Sequence, residues 1–266
     1  MDDFTLNDGR TMPRMGLGTY QIPDAQVASV VRRGLDLGYG LVDTAAFYHN
    51  ERGVGEGMRD ADAFLTTKLW NDRHGDAAAA LDESLALLGV EAVDLYLIHW
   101  PVPGEGRYVE AWEAMVKLRE AGLARSIGVS NFRPGDIDEI VAATGVMPAV
   151  NQIELHPRFQ QREARAYHDA HGIVTQSWSP LGQGGDILRD PAVARIAQAH
   201  GRSAAQVILA WHLARGLSVI PKAADPEHLS DNFAALELTL DEAELAAIDA
   251  LDDSDGRIGP DPARFG

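Results

Sequence analysis

The chain has 266 residues, 45% hydrophobic and 24% charged, with 40 acidic against 23 basic residues for a formal net charge of −17. That is length and apolar content enough to bury a full core. The negative excess disfavours nucleic acid and anionic membrane as partners, since both need a basic face to neutralise phosphates, and the lack of cysteine excludes disulfides, thiolate metal sites and thiol nucleophiles.

The N-terminal MDDFTLNDGR has no basic region followed by an apolar run, and no later window approaches the roughly 18 apolar residues of a membrane span, so a cytoplasmic protein is expected. FTLNDGRTM reads as a small β-hairpin turning at Asn7, Asp8 and Gly9. Strands are then predicted at 14–19, 39–45, 64–69, 93–100, 124–131, 149–155, 173–179 and 217–223. Between and after them, helical patterns cover 24–38, 51–59, 76–88, 108–121, 134–143, 161–171, 203–215 and 226–235. Eight strands each followed by a helix predict an α/β fold, a (β/α)8 TIM barrel, and strands buried on both faces should read as continuous apolar runs, as VDLYLI does. Two extra helices, near 190–200 and 241–250, stand outside the count. With no linker, low-complexity tract or repeat, residues 1–266 are expected to form a single domain.

In such a barrel, functional residues lie at the C-terminal ends of strands and in the loops that follow. Asp43 in DTAAFYHNE, Lys68 in FLTTKLW and His99 in VDLYLIHW each end a predicted strand, and Tyr48 lies just beyond the first of them. Of the 23 basic residues only Lys68, Lys117 and Lys222 are lysines, so an ammonium at position 68 stands out in a chain that otherwise uses arginine. An ammonium beside a phenol stabilises phenolate and is expected to lower the pKa of Tyr48 from about 10, with Asp43 holding Lys68 charged. The four together suggest proton delivery to a carbonyl under reduction, with His99 orienting the oxygen. No metal is required, because Tyr48 and His99 supply the donors a Lewis acid would replace.

DTAAFYHNE, TTKLWND, YLIHWP, SIGVSNF, AVNQIELHP, SWSPLGQG and VIPKAADPEHLSDNF resemble the sequence blocks of the aldo-keto reductase family, in family order over nearly the whole chain. TTKLWNDRH, AVNQIELHP, PLGQG and the short tail are most similar to the bacterial 2,5-diketo-D-gluconate reductases. The resemblance implies an extended NADPH across the barrel mouth, with NADH possible, rather than a Rossmann site, and no GxGxxG is present. It implies that Ser130, Asn131 and Gln152 bind the nicotinamide carboxamide with both donors and acceptors, that Trp178 stacks on the nicotinamide, and that the loop with Ser179, Leu181, Gln183 and Gly184 covers the pyrophosphate. At the adenosine end it implies Lys222 and Asn232. Family members that prefer NADPH carry Ser and Arg where this chain has Ala223 and His228, which weakens the grip on a 2′-phosphate.

Tyr20, Phe47, Trp70, His99 and Trp100 are the expected substrate walls, suited to small aldehydes, α-dicarbonyls and keto-sugars, with the tail PDPARFG leaving the mouth open. The expected partner is thus a small carbonyl compound, without nucleic acid or membrane, and the chain is expected to be a monomer. Two other readings are a metal-dependent hydrolase using His99, Glu154 and His156, against which Pro157 and the NQIELHP block count, and a nicotinamide-binding redox sensor of slow turnover.

Overall fold

Eight parallel strands of this computed structural model, which describes residues 3–266, lie side by side in chain order. After the hairpin strands β1 (Phe4–Thr5) and β2 (Thr11–Met12), they are β3 (Leu17–Gly18), β4 (Leu41–Asp43), β5 (Phe64–Leu69), β6 (Val93–Ile98), β7 (Ala124–Ser130), β8 (Val150–Glu154), β9 (Val174–Trp178) and β10 (Ser218–Val219). The outer strands β3 and β10 then meet: Met15 bridges Val219, Gly18 bridges Lys222, and Gly16 N donates to Val219 O at 2.8 Å. The sheet is therefore a closed barrel, as expected.

The closing strands are shorter than the sequence predicts, two residues each. Pro221 has no N–H to extend the ladder, and at Gly18 a Cβ would lie 2.7 Å from Ile220 O, so the seam needs glycine there.

The helices are α1 (Asp24–Leu37), α2 (Glu51–Met58), α3 (Ala77–Leu88), α4 (Tyr108–Glu120), α5 (Pro134–Thr144), α6 (Arg162–His171), α7 (Pro191–His200), α8 (Ala204–Ala214), α9 (Pro226–Phe233) and α10 (Glu242–Asp249). α7 and α10 are the two extra helices. Their starts follow local chemistry: Asp190 accepts from Ala192 N, and Ser203 with Gln206 and Asp241 with Glu244 form capping boxes. α9 stops earlier than its pattern implies and passes into a 3-10 turn at Ala234–Glu237. None of the described helices is long and apolar enough to cross a membrane.

The hairpin closes the barrel bottom. Gly9, at φ +86°, makes the turn, and Leu6 and Met12 pack with Leu41, Leu95, Leu97 and Val150 in the barrel interior. Asn7 Nδ2 donates to Pro148 O at 2.9 Å and Ser126 Oγ to Asp8 Oδ2 at 2.7 Å, which pins the turn.

Two histidines tie the helical layer to the barrel. His168 of α6 meets Thr175 Oγ1 at 2.8 Å and Asn151 Nδ2 at 2.9 Å, and His212 of α8 meets Ser177 Oγ at 3.2 Å. Burial disfavours the imidazolium at both sites and pushes His168 down to about 4 and His212 down to about 3. The folded state keeps both neutral while the unfolded chain takes up protons below about 6.5, so their contribution to stability is complete above that pH and is lost as pH falls toward the folded values. Urea unfolding between pH 7 and pH 4 is expected to show stability falling with pH, with a shallower fall in His168→Gln measured alongside.

Candidate active site

β4 and β5 are in register at Asp43 and Thr66, and side chains two residues apart share a face, so Asp43 and Lys68 both point into the barrel. Lys68 Nζ donates to Asp43 Oδ1 at 2.6 Å, to Thr44 O at 2.9 Å and to Tyr48 Oη at 3.3 Å. All three ammonium hydrogens are thus committed, and the Lys68 and Asp43 side chains are only 0% and 1% exposed. A 3-10 turn, Ala46–Tyr48, lifts Tyr48 over this pair. The His99 ring stands edge-on to Tyr48, with ring centres 5.7 Å apart. The four residues, drawn from three sequence blocks, therefore converge at the C-terminal mouth of the barrel.

Burial dominates the electrostatics. It pushes Asp43 up against the opposing pull of Lys68 and Gln152, and pushes Lys68 down against the pull of Asp43. Tyr48 is held well above its ordinary value, first by desolvation and then by the charge of Asp43. This corrects the expectation of a lowered phenol: Lys68 is already neutralised by Asp43, so Tyr48 faces a dipole rather than a bare cation. His99 is held well below its ordinary value by burial and by Lys68, so its ring is neutral; its Nδ1 is buried without a partner. The site offers two neutral proton donors.

Ser130 ends β7, Asn131 follows it, and Gln152 pairs with Ser130 from the middle of β8. Ser130 Oγ donates to Gln152 O at 2.7 Å. Asn131 Nδ2 donates to His99 O and to Ser130 Oγ, both at 3.0 Å, and Gln152 Nε2 donates to Asp43 Oδ2 and to Gln176 Oε1. Every side-chain hydrogen of the three is committed inside the protein, so together they present acceptors only, not the donors and acceptors expected. Trp178 Nε1 donates to Asn131 Oδ1 at 2.8 Å, which fixes the plane of its indole. In the next loop Gly182, Gln183 and Gly184 are left-handed, at φ +57°, +56° and +76°, with Ser179 at +49° before them. Gly182 N closes a turn on Ser179 O and Gly184 N one on Leu181 O. Lys222 is exposed beside the barrel seam, Ala223 and Asn232 are buried, and His228 is exposed on the first turn of α9 beside Glu227.

The sequence matches the aldo/keto reductase family over residues 14–253. The chain belongs to that family. It is 45% identical to methylglyoxal reductase DkgA of Escherichia coli K12, over 98% of this chain and 97% of that protein. It is 46% identical to an aldo-keto reductase of Mycobacterium sp. strain KMS, over 98% and 96%. The crystal structure of an Asp-to-Ala variant of Gox0644 in complex with NADPH superimposes with a TM-score of 0.97, at 48% identity and 99% and 98% coverage. The full-length likeness to DkgA proteins agrees with the subfamily expected from the motifs.

Around the tetrad of this aldo/keto reductase the expected substrate walls divide into two groups. Phe47 stacks on Trp70 at 3.8 Å, Trp70 stands edge-on to His99 at 5.0 Å, and Tyr20 lies 5.0 Å from Tyr48, so these aromatics border Tyr48 and His99. Trp100 does not join them as an open wall. It is 7% exposed, packed on Phe265 at 4.5 Å and near Trp178 at 6.4 Å.

The covering element is the C-terminal tail, which the sequence reading leaves away from the mouth. Glu154 accepts from Ile258 N at 2.6 Å and Gly259 N at 2.8 Å, and a Cβ on Gly259 would lie 2.4 Å from the Trp178 ring. The tail therefore crosses the rim, closing part of it, and Glu154 serves as its clamp. Among the described residues no three His, Cys, Asp or Glu side chains are grouped to hold a metal ion. In the sequence Glu154 stands out only as a possible metal ligand, whereas its partners in the fold, Ile258 and Gly259, lie 104 and 105 residues away.

Glu154→Ala removes the acceptor of two backbone N–H groups, each bond to a charged group contributing about 1.5–3 kcal/mol. Tryptic cleavage after Arg257 is expected to accelerate by at least roughly tenfold relative to the parent protein, as read by mass spectrometry, while the thermal midpoint of the barrel changes little.

Proposed function

We propose that this aldo/keto reductase reduces small aldehydes, α-dicarbonyls and keto-sugars to alcohols with NADPH, Tyr48 acting as the general acid. The observation that carries the reading is the buried Asp43–Lys68–Tyr48 chain at the barrel mouth, with a neutral His99 beside it. The DkgA relatives, named methylglyoxal reductases, and the NADPH complex of Gox0644 support the substrate class and the cofactor.

The residues present suit the cofactor. The acceptors left by Ser130, Asn131 and Gln152 match a carboxamide NH₂, the immobilised indole of Trp178 suits stacking, and the Ser179–Gly184 loop, with Leu181 and Gln183, is turned to follow a pyrophosphate. Lys222, His228 and Asn232 would face the adenosine end, with Ala223 beside them. NADPH supplies the hydride when bound.

The protein's own part is proton supply. Because Tyr48 Oη accepts from Lys68, its hydrogen is available to an incoming carbonyl oxygen. The elevated Tyr48 pKa keeps the proton in place until negative charge develops on that oxygen, and the phenolate then left behind keeps the hydrogen bond that Lys68 Nζ donates to it. Neutral His99 has an N–H to hold the same oxygen in line. The aromatic border formed by Tyr20, Phe47 and Trp70 favours small or flat substrates. The proposal extends to a monomeric cytoplasmic enzyme of one domain, the single domain supported by the packing of the hairpin and both extra helices on one barrel.

Dicarbonyl-dependent NADPH oxidation is expected in the wild type, and Tyr48→Phe should lower kcat by roughly 10²–10⁴-fold with cofactor binding unchanged. Absence of turnover in the wild type, with NADPH bound tightly, would instead favour a redox sensor. His228→Arg restores a permanent cation near the expected 2′-phosphate and should lower KM for NADPH by about tenfold without improving NADH.

A further inference from the structure

Beneath the candidate site, a line of side chains crosses the barrel interior. Gln152 Nε2 donates to Asp43 Oδ2 at 2.8 Å and to Gln176 Oε1 at 2.7 Å, and Gln176 Nε2 donates to Ser218 Oγ at 3.0 Å. Register places them: Gln152 pairs with Gln176 across β8 and β9, and Gln176 with Ser218 across β9 and β10, so all three side chains stand on the inward face. Gln152, Gln176 and Ser218 are 2%, 0% and 0% exposed, so bulk solvent does not reach them.

The line has a direction. An ionised carboxylate only accepts, so Gln152 must turn its NH₂ toward Asp43. Its second hydrogen then needs an acceptor, which the Gln176 carbonyl supplies, and that in turn leaves the Gln176 NH₂ for Ser218. With both hydrogens of Gln152 so committed, its Oε1 is turned away from Asp43 and Gln176.

We propose that Gln176 is a positioning residue: it locks the amide of Gln152, so that Gln152 steadies the Asp43 carboxylate under Lys68 and offers Oε1 as an acceptor to a carboxamide NH₂. Cofactor orientation and the proton-donating pair thereby share one rigid support. The proposal rests on the functional reading above. Its mechanism is local: without the Gln176 carbonyl, one buried N–H of Gln152 loses its partner, and the amide gains a reason to rotate away from Asp43.

Two variants test it, each measured for NADPH binding by tryptophan fluorescence and for the pH profile of dicarbonyl reduction. Gln176→Leu removes donor and acceptor at similar volume. It should weaken NADPH binding by about tenfold, the factor for one lost hydrogen bond of ordinary strength, and displace the pH profile of kcat. Gln176→Glu, when protonated, reproduces the pattern, with C=O toward Gln152 and O–H toward Ser218. Burial and the neighbouring Asp43 charge favour that protonated form. In either protonation state the introduced carboxyl accepts from Gln152 Nε2, and the Ser218 hydroxyl can donate to it once it ionises, so Gln176→Glu should bind NADPH within about twofold of wild type where Gln176→Leu does not.

Wild-type NADPH affinity and an unshifted profile in Gln176→Leu would overturn the proposal, as would a Gln176→Glu variant that binds NADPH as weakly as the leucine variant. Should the leucine variant not fold, Gln176→Met, unbranched and likewise without the carbonyl acceptor, takes its place with the same expected loss, and wild-type NADPH affinity in it would overturn the proposal. A wild type that binds NADPH without turnover removes the functional reading, and the binding measurements then judge Gln176 separately. A wild type that does not bind NADPH removes both.

Discussion

The buried ion pair between Lys68 and Asp43 is the constraint on which the site depends. Taking both charges out of water is costly, and mutual attraction offsets the cost only where the remaining hydrogen-bonding capacity is also met. Here it is met: Lys68 has three acceptors, and Asp43 has Lys68 on one oxygen and Gln152 on the other. Asp43, Thr44 and Tyr48 belong to β4 and the segment beyond it, Lys68 to β5 and Gln152 to β8. The barrel closure therefore has a chemical consequence, because only a closed sheet brings β4, β5 and β8 within reach of one carboxylate.

Strain is concentrated at the same end of the molecule. His49, Val102, Asn131, Ser179 and Gln183 all have left-handed backbones, at φ from +44° to +64°, and all lie in segments that follow barrel strands. Such conformations cost on the order of 1–3 kcal/mol each and persist only where neighbours hold them. Asn131 shows the means: its side chain is bonded to His99 O, Ser130 and Trp178, so the unfavourable φ is the cost of a fixed platform. The apolar layers between strands and helices supply the stability that this mouth does not.

The tail and the amide line place that platform between two supports. From above, Glu154 clamps Ile258 and Gly259 over Trp178. From below, Gln176 and Ser218 fix Gln152 and through it Asp43. Proton donor, stacking face and rim are thus coupled through hydrogen bonds of defined direction rather than through apolar contact alone.

Periodicity by itself determined eight strand–helix units, the bottom hairpin, the two extra helices and the strand-end placement of Asp43, Lys68 and His99, because those depend on side-chain spacing and local capping. Helix ends came out within a residue or two for the same reason: Asp190, Ser203 and Asp241 act on backbone a few residues away. Tertiary structure alone decided the short seam at Gly18 and Pro221, the tail over Trp178 and the role of Gln176, each a contact between residues distant in sequence. It also decided the proton affinity of Tyr48. The nearness of lysine is legible in a motif, but whether its charge reaches the phenol depends on burial and on the carboxylate beside it, which arise only when the barrel closes.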